Sequence, residues 1–75
     1  MAEIEQAASA LTKHISDVPA DSRSMHIVNS WVDGAEGEPK VLRREIHVAF
    51  KPPHEGKQLP AEFMGHPVKK VRFQP

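Results

Sequence analysis

The amino-terminal segment carries apolar side chains at the spacing of one helix face. They recur at the three- and four-residue intervals typical of an amphipathic helix, at Ile4, Ala7, Ala8, Leu11 and Ile15. Acidic residues lie in the first turn and basic residues in the last, where the helix dipole favours each sign. Pro19 disfavours helical backbone at the residue before it. The pattern therefore predicts one helix from about residue 3 to residue 16.

Two later segments alternate between apolar and polar side chains, as half-buried strands do. They are Met25–Asp33 and Val41–Phe50, and the turn sequence GAEGEP separates them. In the second segment the alternation predicts one face that packs on the helix and one that meets water. In the first segment both faces carry apolar side chains.

The turn sets the register in which these strands would pair. Asp33 would lie opposite Lys40, and counting back predicts the pairs Trp31 with Leu42, Ile27 with Ile46, and Met25 with Val48. These apolar pairs share one face, as register specification by burial requires, so we expect Trp31 to be buried. The same register places Asn29 opposite Arg44 on the packed face. That polar pair indicates either an opening in this face or a β-bulge.

Prolines and glycines divide the last third of the chain. Pro52 and Pro53 end the second strand because neither can donate to a ladder. After a polar loop, Pro60 suits the start and Gly65 the left-handed exit of a short helical turn. We expect the apolar residues of this turn to fill the bottom of the core; they are Leu59, Phe63 and Met64.

The sequence PVKKVRF then predicts a final strand, with Val71 and Phe73 inward and Lys70 and Arg72 outward. The sixteen residues from Pro52 to Pro67 are enough for a crossover. The final strand is therefore expected to run parallel to the second and to lie beside the first, in the order 2-1-3. A simple meander is the alternative.

Together these elements predict a single α+β domain over residues 1–75. One N-terminal helix packs on a three-stranded sheet, in the order helix, strand, strand, short helical turn, strand.

Composition narrows the class of protein. The 75 residues contain no cysteine, which excludes disulfides and thiolate sites and fits a reducing compartment. No apolar run is long enough to span a bilayer, and the N-terminus is too acidic for a secretory or mitochondrial signal. We therefore expect a cytoplasmic domain that does not contact a membrane.

The net charge of zero hides an asymmetry between the two halves. Residues 1–40 carry seven acids and three bases, whereas residues 41–75 carry three acids and seven bases. The halves either neutralise each other on folding or leave a basic surface for an acidic partner.

No residue pattern indicates catalysis. None of the serines lies in a GxSxG elbow, and GAEG lacks the length and the lysine of a phosphate-binding loop. A domain this small also leaves little room for a cleft that excludes water. We expect no catalytic residues, no cofactor and no enzymatic activity.

Five histidines are many for a chain of this length. Their spacing matches no common metal motif, but the register places His26 opposite His47 on the outward face, near enough to share a ligand. A metal ion there would need further ligands that the pattern does not supply. We expect no metal site, with His26 and His47 as the weak candidates for one.

Basic residues near the C-terminus raise the possibility of nucleic-acid binding. Lys69, Lys70 and Arg72 could contact phosphates, but binding through a sheet normally adds exposed aromatic residues for stacking. Lysines also protect edge strands against aggregation. Nucleic-acid binding through these three residues is therefore the alternative function.

Protein binding is the leading function. Small α+β domains with an open sheet edge recognise proteins by strand addition or through a sheet face. Val28, Val32 and Val41 would form an outward apolar patch for such contact, either with another protein or with a second copy of the chain.

From about Val41 to Phe73, the sequence pattern REIHVAFKPP…LPAEFMGHPVKKVRF resembles the small non-catalytic N-terminal domain of some bacterial trypsin-like peptidases. The similarity lies in a Leu-Pro turn, a G-x-P-V step and a final strand, carried by Leu59, Pro60, Gly65, Pro67 and Val68. These positions are structural, so the resemblance implies no catalytic role. It implies an accessory or adaptor domain whose partner is a peptidase or another enzyme.

Overall fold

The computed structural model describes residues 3–73, which form one α-helix and four strands. The elements are α1 (Ile4–His14), β1 (Arg23–Val32), β2 (Val41–Phe50), β3 (Glu62–Phe63) and β4 (His66–Val71). Short 3-10 turns at Ala20–Ser22 and His54–Gly56 precede β1 and follow β2. The fold class is α+β, with the N-terminal helix packed on a mixed sheet, which confirms the predicted class.

The helix α1 lies within the predicted limits and buries the predicted face. Ile4, Ala7 and Leu11 are buried, as is Ile15 just beyond the helix. Arg23 Nη1 donates to the carbonyl oxygens of Thr12 at 3.2 Å and Ile15 at 3.1 Å. The Thr12 carbonyl lies in the last turn of α1, where a helix end leaves carbonyls unpaired, and both bonds join the end of α1 to the start of β1.

Strands β1 and β2 form a long antiparallel hairpin in the predicted register. Ten consecutive pairs run without a bulge, and they include Ile27–Ile46, Trp31–Leu42 and His26–His47. The hairpin is therefore specified by the alternation that the sequence displays.

The helix covers only the half of this hairpin nearest its open end. Eleven helical residues span about 16 Å, whereas ten strand residues span about 33 Å. Ile46, Val48 and Phe50 are buried under α1. Trp31, farther along the same face, is 66% exposed. The prediction that Trp31 is buried is wrong because the helix does not reach it.

Arg44 lies at the limit of the covered region. Its Nε donates to Asn29 Oδ1 at 2.9 Å, and its Nη2 donates to Glu5 Oε1 on the first turn of α1 at 3.3 Å. Of the two explanations for the Asn29–Arg44 pair, the opening in the packed face is correct and the bulge is not.

The final strand β4 pairs with β2, in parallel, through partners that run from Ile46–Val68 to Ala49–Val71. The sheet order is β1-β2-β4-β3. The predicted parallel direction is confirmed, but β4 lies beside the second strand rather than the first, so the 2-1-3 order is wrong. The meander would also place the last strand beside the second, but in antiparallel pairing, so it is wrong in direction. Strand β2 is central, with β1 on one side and β4 on the other. This position agrees with its burial, because β2 carries most of the buried strand residues.

A fourth strand replaces the predicted short helical turn. Met64 and Gly65 have positive φ angles of 51° and 84°, which is the backbone of a two-residue hairpin turn. The chain reverses there, and β3 pairs with β4. Leu59 and Phe63 pack against the core as expected, whereas Met64 is at the turn and is exposed.

The faces of β4 are reversed relative to the prediction. Val68 pairs with Ile46 and is buried on the helix side. Lys70, two residues on, therefore shares the helix side, and the exposed Val71 lies on the outer face beside Ala49. The predicted inward Val71 and outward Lys70 are wrong, since a shift of one residue exchanges the faces of a strand.

Two ion pairs join the acidic half of the chain to the basic half. Glu5 pairs with Arg44 at 3.3 Å, and Asp17 pairs with Lys57 at 2.8 Å. The halves thus neutralise each other in part on folding.

Matched substitutions on β2 test whether α1 covers only one half of the hairpin. Val48→Ala should lower the free energy of unfolding by about 2–3 kcal/mol, because it removes two buried methyl groups and leaves a cavity. Val41 is 54% exposed, so Val41→Ala should cost less than about 1 kcal/mol. Urea unfolding followed by circular dichroism measures both, and equal losses would contradict this arrangement.

The Asp17–Lys57 pair should make stability depend on pH. The hydrogen bond from Lys57 holds the pKa of Asp17 below its ordinary value. A carboxyl group with a depressed folded pKa stabilises the fold above its unfolded pKa, and that contribution is lost as the pH falls through the folded pKa. We expect Asp17→Asn to lower Tm at pH 7 and the difference to vanish as the pH falls well below about 4.

Glu36→Gln, a substitution in the exposed β1–β2 turn, is the control and should leave the pH profile of Tm unchanged. A difference between wild type and Asp17→Asn that stays constant from neutral to acidic pH would contradict the role of this pair.

Candidate protein-interaction surface

Beyond Arg44 the hairpin continues as residues 30–43, here called the distal hairpin. Four large apolar side chains are exposed on it: Trp31 at 66% and Leu42 at 44% on the helix side, Val32 at 38% and Val41 at 54% on the outer face. They form two directly opposed cross-strand pairs. Contiguous exposed apolar side chains typically mark interaction sites.

Two glycines shape the turn that closes the distal hairpin. A side chain at Gly34 would place its Cβ 2.6 Å from the Pro39 carbonyl oxygen, and Gly37 has a φ of +83°. Both positions favour glycine for backbone reasons. The turn is therefore specified locally and brings Val32 opposite Val41.

The second feature of this surface is an edge of the sheet. Strand β1 lies at the end of the sheet order, and within residues 3–73 only β2 pairs with it. We call its other side the β1 edge. It runs the full ten residues from Arg23 to Val32.

Backbone groups on the β1 edge can be assigned from the ladder. Lys51 N–H donates to the Ser22 carbonyl at 2.8 Å, which continues the β1–β2 register by one pair. Antiparallel pairs alternate between bonded and non-bonded, so even-numbered residues of β1 bond to β2. The odd-numbered residues direct N–H and C=O towards the β1 edge; they are Arg23, Met25, Ile27, Asn29 and Trp31.

The β1 edge has few of the features that normally prevent edge-to-edge pairing. Proline, lysine, bulges and short strands are the usual protections. Strand β1 contains neither proline nor lysine, its register is unbroken, and its single charged residue is Arg23. This edge is therefore well suited to receive another strand.

A cavity of about 180 Å³ lies between α1 and the start of β1. Its lining residues come from the helix end, the first 3-10 turn and β1: Thr12, Ile15, Ala20, Arg23, Ser24 and Met25. None of these belongs to β2, so the cavity lies on the β1-edge side of the sheet. An apolar side chain carried by an added strand could enter it.

The three valines predicted as a patch are only partly gathered. Val32 and Val41 lie opposite each other, whereas Val28 is opposite Glu45 and half-buried. The exposed apolar surface instead continues through the hairpin to Trp31 and Leu42 on the other face.

The three predicted basic residues do not share a face. Lys69 is on the outer face and pairs with Glu45 at 3.7 Å. Lys70 is on the helix side and donates to the Glu55 carbonyl at 2.8 Å. Arg72 is exposed beyond the end of β4. The exposed Trp31 lies on the distal hairpin, away from the part of β2 that β4 pairs with, so it does not complete a stacking surface with them.

His26 and His47 lie opposite each other, as the register predicts. Among residues 3–73 no group of three or more His, Asp or Glu side chains is arranged to hold a metal ion. The nearest carboxylate to His47 is Glu45, with its Oε1 3.9 Å from Nε2.

Sequence reasoning did not anticipate the environment of Glu45. Its side chain is only 9% exposed on the outer face, and it lies near Arg43 at 3.9 Å, Lys69 at 3.7 Å and His47. Neither Glu45 Oε2 nor His47 Nε2 has a hydrogen-bond partner in the described part of the chain. The carboxylate thus gives up hydration for ion pairs that are longer than hydrogen bonds.

No protein-family model, curated protein or solved structure matches this chain. The resemblance to peptidase N-terminal domains stays a prediction. In the described range 3–73, no helix has the length and apolar character needed to cross a membrane.

Removing the Glu45 charge should not destabilise the fold. The side chains of Arg43 and Lys69 are more than half exposed, so water would solvate them after the carboxylate is lost. We expect Glu45→Met to leave the free energy of unfolding at pH 7 unchanged or to raise it by up to about 2 kcal/mol. Glu62→Met, at an exposed position of β3, is the control. If Glu45→Met alone lowered the free energy of unfolding by more than about 1 kcal/mol, the ion pairs of Glu45 would outweigh its lost hydration, which would contradict this expectation.

Proposed function

We propose that this chain is a small non-enzymatic protein-binding domain that recognises an extended segment by strand addition at the β1 edge. The observation that carries the proposal is the ten-residue β1 edge with the exposed Trp31 at one end and the cavity beside Met25 at the other. Main-chain hydrogen bonds would supply affinity, and side chains on alternate positions would supply specificity.

Trp31 is the expected anchor of this contact. Tryptophan is enriched among residues that dominate binding energy, because it buries a large rigid surface. Its neighbours on the distal hairpin are apolar and would extend the contact. The resemblance described above would make the partner a peptidase or another enzyme in the cytoplasm, with this chain as an adaptor.

A peptide experiment tests the proposal directly. Peptides selected from a random phage-display library should bind as extended segments and shift the amide resonances of Met25, Ile27, Asn29 and Trp31 most strongly. Trp31→Ser should weaken binding at least tenfold, since loss of an aromatic anchor costs about 2 kcal/mol or more. Val71→Ser, on the exposed part of β4, is the control and should change affinity little.

Nucleic-acid binding remains the alternative function. It would use Lys69, Lys70 and Arg72, and it predicts retention on heparin or single-stranded DNA that falls with salt. We expect no retention at physiological salt. Strong retention that is abolished by changing these three residues to glutamate, together with no peptide shifts on β1, would favour the alternative and contradict strand addition.

A further inference from the structure

We infer that the strand received at the β1 edge is β1 of a second copy, which makes this chain a two-fold symmetric dimer with one continuous sheet. The inference rests on the proposed function, because it names the occupant of the same edge. It is carried by the self-complementarity of β1 in one particular register.

Symmetry restricts the registers available. A two-fold axis perpendicular to the sheet makes the two β1 strands antiparallel and keeps both helices on the same side. Opposed residues must then share a face, and the bonded pairs must be the odd-numbered residues that point to the β1 edge. An axis through Val28 satisfies both conditions, with Ile27 opposite Asn29 and Met25 opposite Trp31 of the other copy.

This register fits the exposed indole to the cavity. Met25 is one of the residues that line the 180 Å³ space beside α1, and Trp31 opposite it lies on the same face of the extended sheet. Each indole would enter the other copy's cavity, whose other lining residues include Arg23, a favourable neighbour for an aromatic ring. Trp31, exposed in one chain, would thus be buried in the pair.

Charge favours the same register. Arg23 is the first residue of β1 and Asp33 follows its last residue, and an axis at Val28 places each opposite the other. Moving the axis to Asn29 would place Asp33 against Met25. Moving it to Ile27 would place Trp31 opposite Arg23, at the end of the strand, instead of opposite Met25. Of these three axes, only the one at Val28 places Trp31 opposite Met25 and Arg23 opposite Asp33.

Solution mass and tryptophan fluorescence test the dimer. The intact chain should show the mass of two 8.4 kDa chains by light scattering, and the emission of its single tryptophan should shift to the red on dilution. Trp31→Ala should raise the dimer dissociation constant about a hundredfold or more, since two anchors are lost. Val71→Ala, 37% exposed on β4 and separated from the β1 edge by β2, is the control and should leave the dimer intact.

A single-cysteine experiment tests the register. The chain has no cysteine, so Val28→Cys introduces one thiol at the two-fold axis, in a non-bonded pair with Cα atoms about 4.5 Å apart. That spacing permits a disulfide, and mild oxidation should link nearly all chains into covalent dimers. Ser30→Cys is the control; its two thiols would be separated by about four strand residues and should not link.

The outcomes separate this inference from the proposed function. A monomer at all concentrations, or linking through Ser30→Cys instead of Val28→Cys, would overturn the dimer described here. If peptides still shift the odd-numbered amides of β1 in that case, strand addition stands with another partner. If the dimer forms as described, selected peptides should compete with it and lower its fraction.

Discussion

The structure depends on a mismatch of length between one helix and one hairpin. α1 supplies the only helical cover in residues 3–73, and eleven residues of helix reach along about half of a ten-residue strand. Everything under the helix is ordinary core, with Ile46 and Val48 fully buried. Beyond Arg44 the two strands stay paired as far as Val32 and Val41, and apolar side chains are exposed on both faces. A two-stranded ribbon without cover is marginal by itself in water, which is the physical reason to look for a partner there.

Much of the fold could be predicted because its strongest signals are local. The helical spacing of Ile4 to Ile15 and the alternation from Arg44 to Phe50 each identify an element. The turn at Gly34 and Gly37 then fixes the hairpin register to the residue. The signal for the incomplete cover was also present, since Asn29 opposite Arg44 is a polar pair on a face that should be apolar. Comparing the rise of the helix with the length of the strands would have shown that Trp31 lies out of reach.

The errors concern residues whose environment is set by distant parts of the chain. The faces of β4 depend on which residue pairs with Ile46, and nothing within HPVKKV distinguishes Val68 from Val71 as the buried valine. The sequence around Pro60 and Gly65 suits either a helical turn or a tight hairpin, and only the pairing of β3 with β4 decides between them. The burial of Glu45 likewise comes from neighbours on β2 and β4, so the local sequence pattern does not predict it.

The two ends of the sheet differ in a way that bears on function. The side beyond β4 ends in the two-residue β3, and β4 carries Lys69 and Lys70, so short length and lysine protect it in the manner of natural edge strands. The β1 edge is five times as long, has no lysine and has an exposed tryptophan and a cavity on the same face. Both edges belong to one small domain, so selection for solubility alone would favour protection of both edges against pairing. The protection of one edge and not the other is what a sheet built to receive a strand on the β1 side would require.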